Sequence, residues 1–278
     1  MVAAEESEKL QYMLKAVNDL REAWLKEIQR GDGSLSMREV RRKRRKSPVR
    51  PLQWTTQLGL AAHAVTLSHV VVELVSSGKA VESIPTLRFM FELGLTNQWI
   101  EVVGKDAANA MQADYIRQQK LLRKDMAQSE DEAIRSAADF VTDADAAQWK
   151  SASLAQARRI DQKIGDLHSA SDLYVFYRDM SSFSHPNLLT VSLYVNRPRH
   201  AGESADFSVI PQQASVVSRA FYLLLSLCWA LEPVSGRMTD PDLKELVRAI
   251  ANDYKIPLDL RQSDACRERL QRAKKRRH

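Results

Sequence analysis

The 278-residue sequence contains only 9 glycines, 9 prolines and 2 cysteines. So few turn-forming residues exclude a collagen-like, low-complexity or many-turned all-β chain. A chain of this length can bury a sizeable core without disulfide or metal staples. Cys228 lies within an apolar run, where a thiol usually packs as a small hydrophobic group, and we expect both it and Cys266 to be reduced. The composition therefore favours a mainly helical protein.

Sequence motifs of several common enzyme classes are also missing. The chain has no GxxxxGK[ST], no GxGxxG after a strand, no GxSxG and no HExxH. His69 and Glu73 are four residues apart on a predicted helix that also carries His63. Two ligands without a convincing third favour a polar contact or a core histidine over a metal site. We therefore predict neither a metal site nor a cofactor.

The N-terminus lacks the charged-then-apolar order of a signal peptide, and the longest apolar run, residues 220–231, is too short to cross a bilayer. These features predict a cytoplasmic protein that does not insert into a membrane.

The net charge of +6 is unevenly distributed. Residues 38–50 carry +7 and residues 267–277 carry +6, which leaves −7 on the rest of the chain. Such basic runs are either solvated arms and helix ends or contacts for nucleic acid and other acidic partners, and both interpretations stay open. The candidate nucleic-acid contacts are Arg41, Arg42, Lys43, Arg44, Arg45, Lys46, Lys274, Lys275, Arg276 and Arg277.

Apolar residues at helical spacing predict most of the chain to be helical. The predicted helices cover residues 5–30, 52–77, 83–126, 128–166, 169–185, 212–231, 240–254 and 260–275, of which 128–166 is peripheral. Residues 188–195 show an alternating pattern that includes β-branched and aromatic side chains, which is typical of a strand. This segment could pair with residues 206–210. We predict an all-α or mainly α bundle with one small β-hairpin after the helix 169–185, and with Trp54 and Trp99 in its core.

Three segments are predicted along the chain. Residues 1–50 hold an amphipathic helix and a basic segment, residues 51–235 form the helical bundle domain, and residues 236–278 form C-terminal helices and a basic tail. The boundary near residue 50 follows from Pro48 and Pro51, because a residue before proline is disfavoured in a helix.

The side chains most suited to chemistry lie on the helix 169–185. Arg178 and His185 are seven residues apart, which places them within about 20° of the same face and about 10 Å apart along the axis. Tyr174 and Ser181 share that stripe, with Ser182 beside it. An arginine fork holds phosphate oxygens well, and histidine is the usual side chain for proton transfer near neutral pH.

Such a stripe is suited to cleaving RNA without a metal, because the 2′-hydroxyl of RNA can serve as the nucleophile. We predict that Arg178 holds the phosphate and that His185 acts as general acid and base, with Tyr174 and Ser181 as supporting groups. The predicted positioning residues are Arg88 and Glu92, four apart on another helix, together with Asp179 and Ser182.

The segment from Arg178 to His185 resembles the R-x(4–6)-H motif of the HEPN superfamily (higher-eukaryote and prokaryote nucleotide-binding domains), including the polar residue after the arginine. With the Arg88-x-x-x-Glu92 helix and the helix end YRDMSSFSHP, the chain also resembles a bacterial family of unknown function near that superfamily, over roughly residues 52–231. The resemblance implies a helical bundle that is a homodimer with its active site across the dimer. It also implies a metal-independent endoribonuclease of toxin or phage-defence type, with an antitoxin or defence-system partner.

Other interpretations stay open. Arg178 could pair with Glu92 or Glu101 inside the bundle, and His185 could cap carbonyl groups at its own helix end. The alternative function is a non-catalytic HEPN-like nucleic-acid-binding or adaptor protein that uses its basic segments.

Overall fold

The computed structural model describes residues 2–30, 51–141, 144–168, 171–196, 206–208, 211, 215–238 and 241–276. Their contacts divide the chain into two compact units, Met1–Gln98 with Ser171–Leu260 and Trp99–Ala170 with Arg261–His278. This grouping differs from the three predicted segments because the N-terminal helix packs against helices near the C-terminus.

The described elements follow in chain order. The α-helices are α1 (Val2–Arg30), α2 (Pro51–Ser76), α3 (Ile84–Val103), α4 (Lys105–Ala127), α5 (Glu132–Ala137), α6 (Leu154–Arg158), α7 (Ile160–Gly165), α8 (Ser171–Ser184), α9 (Leu188–Ser192), α10 (Val216–Ser235), α11 (Asp242–Asp253) and α12 (Asp264–Lys275). Short 3-10 turns occur at Ala138–Phe140 and Ala146–Gln148, and two strands are β1 (Val195–Asn196) and β2 (Asp206–Phe207). The mainly helical class is confirmed.

The core of the first unit is built around α10. This helix packs against α1, α2 and α11, and its residues from Leu223 to Leu231 are all buried. Helix α3 approaches α10 closely, since a Cβ on Gly94 would lie 2.5 Å from the Ser226 carbonyl oxygen. The Asn97 amide donates to the carbonyl oxygens of Gln57 and Ala230, at 3.2 and 2.6 Å. Trp54 is buried as predicted.

Helices α2 and α10 are long and apolar enough to cross a membrane by length and composition, although the sequence analysis predicted no such segment. The finding is weak evidence for a membrane protein, because core helices of soluble proteins pass the same test. The two helices pack against each other, and 67% of the most apolar 18-residue stretch of α10 is buried. Their packing favours a soluble protein.

In the second unit, α4 packs against α5, α6 and both 3-10 turns. The indole of Trp99, which is buried as predicted, donates to Asp166 Oδ2 at 2.8 Å. Arg269 on α12 binds both carboxylate oxygens of Asp166 at 2.6 Å, so a single buried carboxylate joins α12 to the residues before it. Cys266 is buried beside this pair, and both cysteines are free, as predicted.

Two helical predictions are corrected. The predicted helix 83–126 divides into α3 and α4 at Gly104, whose φ of +75° lies in the left-handed region that ends a helix. The predicted peripheral helix 128–166 is broken into the short elements α5 to α7 and the two 3-10 turns.

The predicted β-hairpin is not supported beyond two residue pairs. Residues 188–192 form α9 because the Asn187 side-chain oxygen caps the helix, accepting from the amides of Leu189 and Thr190 at 2.8 and 3.1 Å. Of the predicted pairing, a two-residue antiparallel match between Val195–Asn196 and Asp206–Phe207 remains among the described residues. Local capping therefore outweighs the β-branched composition of this segment.

Candidate functional site

Helix α8 carries the motif residues and is anchored on its apolar face by Leu173 and Met180, both of which are buried. Its acidic residue Asp179, predicted to position the motif, forms a 2.7 Å ion pair with Arg219 on α10. Arg219 is only 3% exposed and lies 5.8 Å from the ring centroid of Phe183. Arg219 is not among the residues predicted for the site, although its position as the lone cation in a mostly apolar helix was a signal that could have identified it.

The first polar cluster of the site is centred on Arg88 of α3. Its Nη1 lies 3.0 Å from His185 Nε2, its Nη2 donates to Tyr177 Oη at 3.0 Å, and its Nε lies 3.2 Å from Glu92 Oε1. The guanidinium carbon also lies 5.3 Å from the centroid of the Tyr177 ring. The structure therefore brings Arg88, Glu92 and His185 together, and adds Tyr177, which is not among the residues predicted for the site.

The contact with Arg88 indicates which hydrogen-bonding role each His185 nitrogen takes. A guanidinium can only donate, so Nε2 of the imidazole must be the accepting nitrogen and Nδ1 must carry the hydrogen. His185 is exposed and follows the last residue of α8, as expected from Pro186. In this arrangement the ring is held by Arg88 through its Nε2 atom.

The backbone around His185 is held by side chains of the next turn. Thr190 Oγ1 donates to the His185 carbonyl oxygen at 2.8 Å, and Asn187 Nδ2 donates to the Ser182 carbonyl oxygen at 2.6 Å. Asn187 also caps α9 through its side-chain oxygen. These bonds connect the end of α8 to α9. The His185 side chain itself caps no carbonyl group among the described contacts.

Arg178 is exposed, and within the described ranges its guanidinium makes no hydrogen bond or ion pair. It lies 5.9 Å from the centroid of the Tyr174 ring, which in turn stacks on Tyr177 at 6.2 Å. The pairing with Glu92 that the sequence left open is not formed, because Glu92 lies against Arg88. Arg178 and His185 do not contact each other directly among the described contacts; each has its own partners.

The two serines of the motif differ in their contacts. Ser182 Oγ donates to the Arg178 carbonyl oxygen at 2.8 Å, which is a bond within the helix. The Ser181 hydroxyl is buried and has no hydrogen-bond partner among the described residues.

The remaining candidates lie elsewhere. Lys274, Lys275 and Arg276 are exposed at the end of α12, whereas Arg277 and the basic residues 41–46 lie outside the described residues. His69 pairs with Glu73 at 3.1 Å. In the part of the chain that the structure describes, no group of three His, Cys, Asp or Glu side chains could hold a metal ion.

Comparison with known proteins gives one match. The model of a family of unknown function, DUF5677, matches residues 57–203, a range that includes Arg88, Glu92 and all of α8. No curated protein and no solved structure matches the chain. The match spans more than half of the 278 residues, and the chain therefore belongs to the DUF5677 family of unknown function.

Proposed function

We propose that this protein is a metal-independent endoribonuclease that cleaves RNA through attack of the 2′-hydroxyl on the adjacent phosphorus. One observation carries the proposal: α8 presents an exposed arginine without a carboxylate partner among the described residues, and its end carries an exposed histidine. An anion-binding cation and a proton-transfer group are the two functions that this reaction requires of a protein.

In the proposed reaction Arg178 binds the phosphate that is being cleaved and stabilises the charge of its transition state. The 2′-oxygen forms a bond to phosphorus, the bond to the 5′-oxygen breaks, and the products end in a 2′,3′-cyclic phosphate and a 5′-hydroxyl. Once the ring has rotated out of its contact with Arg88, His185 Nε2 takes the proton of the 2′-hydroxyl and returns that proton to the leaving 5′-oxygen. Tyr174 supplies a supporting hydroxyl group near Arg178, whereas the buried Ser181 hydroxyl would assist only after turning toward the phosphate.

Arg88, Glu92 and Tyr177 act as positioning residues in this proposal. The 3.0 Å contact between Arg88 and His185 Nε2 orients the imidazole and directs its hydrogen to Nδ1. Glu92 orients Arg88 in turn through the 3.2 Å contact with its Nε. The Asp179–Arg219 pair fixes α8 against α10, and Ser182 bonds within the helix.

The resemblance of the motif to HEPN proteins supports the wider setting of the proposal. The proposal therefore includes a toxin or phage-defence role, a homodimer, an antitoxin or defence-system partner and a cytoplasmic location. Membership of DUF5677 brings no activity with it, because that family has no known function.

The test is cleavage of a mixed single-stranded RNA and a tRNA pool in EDTA, with analysis of the product ends. Wild type should leave 2′,3′-cyclic phosphates, while His185→Ala and Arg178→Ala should be inactive with unchanged circular dichroism. Arg248→Ala is the matched control, because Arg248 is an exposed arginine on α11. Equal cleavage by wild type and His185→Ala, or none by wild type at dimer-forming concentrations, would contradict the proposal.

The alternative is a non-catalytic nucleic-acid-binding or adaptor protein. It is favoured by the exposed cations at the end of α12, where Lys274, Lys275 and Arg276 face no carboxylate among the described residues. Such a protein would bind RNA with a steep salt dependence, and Arg178→Ala would leave that binding intact.

A further inference from the structure

Helix α12 is fixed in the second unit and is not a loose tail. Arg269 donates two 2.6 Å hydrogen bonds to the Asp166 carboxylate, and the Gln262 side chain donates to the Val102 carbonyl oxygen at 2.8 Å. Ser263 caps the helix by accepting from the Cys266 amide at 3.2 Å. The basic side chains of α12 are therefore presented from a rigid element at defined positions.

A cavity of about 400 Å³ lies on one side of α12. Its charged lining includes Lys105, Arg267 and Lys274 but a single carboxylate, Asp106. That carboxylate already accepts hydrogen bonds from residues 151–153, at 2.7 to 3.1 Å. Arg267 is paired with Asp264, so the excess of positive charge comes from Lys105 and Lys274, neither of which has an ion-pair partner within the described ranges.

A second cavity of about 590 Å³ lies on another side of α12, and Ala273 lines both. Its lining carries Lys150, Arg272 and Arg276, with Glu268 as its carboxylate. Glu268 pairs with Arg272 at 2.9 Å, which leaves the charge of Arg276 unopposed among the described residues. Cationic hollows therefore flank one helix on two sides.

We infer that these two hollows and α12 form a binding surface for the phosphate backbone of RNA, separate from the α8 motif; the choice of RNA as the polyanion rests on the proposed function. The described residues lining both cavities include no aromatic side chain, so the surface contacts phosphates and does not stack bases. Recognition is then independent of sequence and strongly salt-dependent.

The lining also argues against other anionic partners. An interfacial membrane helix needs large apolar side chains that insert among the lipids, and a protein interface is usually centred on aromatic or other large anchors. Around α12 the larger apolar lining residues are Val103, which is buried, and Leu270, which is partly buried. The basic surface around α12 therefore lacks the large apolar side chains that a membrane or a protein partner would contact.

The test measures fluorescence anisotropy of a labelled 20-nucleotide single-stranded RNA over a salt series in EDTA, in the His185→Ala background so that no RNA is cleaved. Lys105→Glu with Lys274→Glu changes one hollow, and Lys150→Glu with Arg276→Glu changes the other. Lys120→Glu with Lys124→Glu is the matched control, because it makes the same charge change on exposed residues at the far end of α4.

Each hollow variant should bind at least about tenfold more weakly at 0.1 M salt, and the slope of log K against log salt should fall by about 1 to 1.5, because two phosphates are no longer neutralised. The control should retain wild-type affinity. Unchanged binding by both hollow variants, an equal weakening in the control, or binding to vesicles containing phosphatidylserine but not to RNA would overturn the inference. If the hollow variants bind RNA weakly but the wild-type protein never cleaves RNA, the proposed activity is refuted and the inference about the binding surface stands.

Discussion

Arg88 shows how one residue can organise a site. Its three guanidinium nitrogens face three different side chains: a histidine, a tyrosine hydroxyl and a carboxylate. The Arg88 side chain is only 22% exposed and Glu92 only 26%, so their contact is partly shielded from bulk water, whereas His185 is exposed. Lysine could not reproduce them, since its single ammonium group lacks the planar fork.

Replacing Arg88 with methionine, which keeps the apolar stem, should lower the free energy of unfolding by about 1 to 3 kcal/mol, because Glu92 and Tyr177 would no longer have their shared partner. Urea denaturation measures the difference. Arg248→Met on the exposed face of α11 is the control and should change stability by less than about 0.5 kcal/mol. Equal effects of the two substitutions would show that the Arg88 contacts contribute nothing.

At the scale of helices, α3 and α10 cross so closely that Gly94 has no room for a side chain. A Cβ at Gly94 would lie 2.5 Å from the Ser226 carbonyl oxygen and 3.2 Å from Trp229 Cβ, neither of which is a flexible side-chain end. Gly59, in the middle of α2, has nothing within 4 Å of its own added Cβ. Two glycines in the same unit thus have opposite environments.

Gly94→Ala should therefore destabilise the protein by about 1 to 3 kcal/mol through overpacking. Gly59→Ala should stabilise it by about 0.5 to 1 kcal/mol, because alanine favours the helix and space is available. Thermal or urea unfolding of the two variants gives the comparison. A stabilising Gly94→Ala substitution would mean that α3 and α10 are further apart than the structure places them.

The second element-scale contact is the attachment of α12 through Asp166. Burial raises the pKa of the Cys266 thiol to about 11 and that of Cys228 to about 12, so both stay protonated and unreactive at about pH 8 while the fold is closed. Cys266 lies on α12, whereas Cys228 lies on α10 in the other unit. The two thiols therefore report separately on the two units.

Asp166→Asn should lower stability by about 3 kcal/mol, because it leaves Arg269 without its carboxylate. Iodoacetamide labelling at about pH 8 should then become faster at Cys266 and stay slow at Cys228. Glu268→Gln, which removes only an exposed ion pair, should leave both rates unchanged. Faster labelling of both thiols to the same degree would indicate global unfolding and contradict a local attachment.

The sequence predicts the helices of this protein well where amphipathic spacing is strong, as in α1, α8 and α11. It does not predict the division at Gly104, because a helical glycine and a helix-ending glycine differ in φ and not in residue type. It mistakes α9 for a strand because Asn187 was not recognised as a cap. The contact between Arg88 and His185 joins residues 97 apart, and no local pattern encodes such a pairing.

For the whole molecule, the distribution of charge along the chain can be read from the sequence without the structure. The basic residues at 38–50 and 267–277 outweigh a remainder of −7, so a polyanion meets two attractive regions on a repulsive body. Helix α12 carries most of the second region, while the first lies outside the described residues.

Changing the six basic residues 41–46 to glutamine should therefore weaken RNA binding and reduce the salt slope, by up to about 0.7 for each phosphate of a single strand that is no longer neutralised. Cleavage measured at saturating RNA should persist, because the α8 motif is unchanged. The two readouts come from anisotropy and from gel analysis of the products. An unaltered salt slope would assign this segment to solubility alone.

The corner at residues 185–190 limits how His185 can move. Its carbonyl group is held by Thr190, and Asn187 ties the end of α8 to the start of α9. The imidazole is left with the torsions of its own side chain as its degrees of freedom. A ligand must therefore either approach the Nδ1 edge of a stationary ring or rotate the ring out of its contact with Arg88, and these two routes expose opposite hydrogen-bonding faces to the ligand.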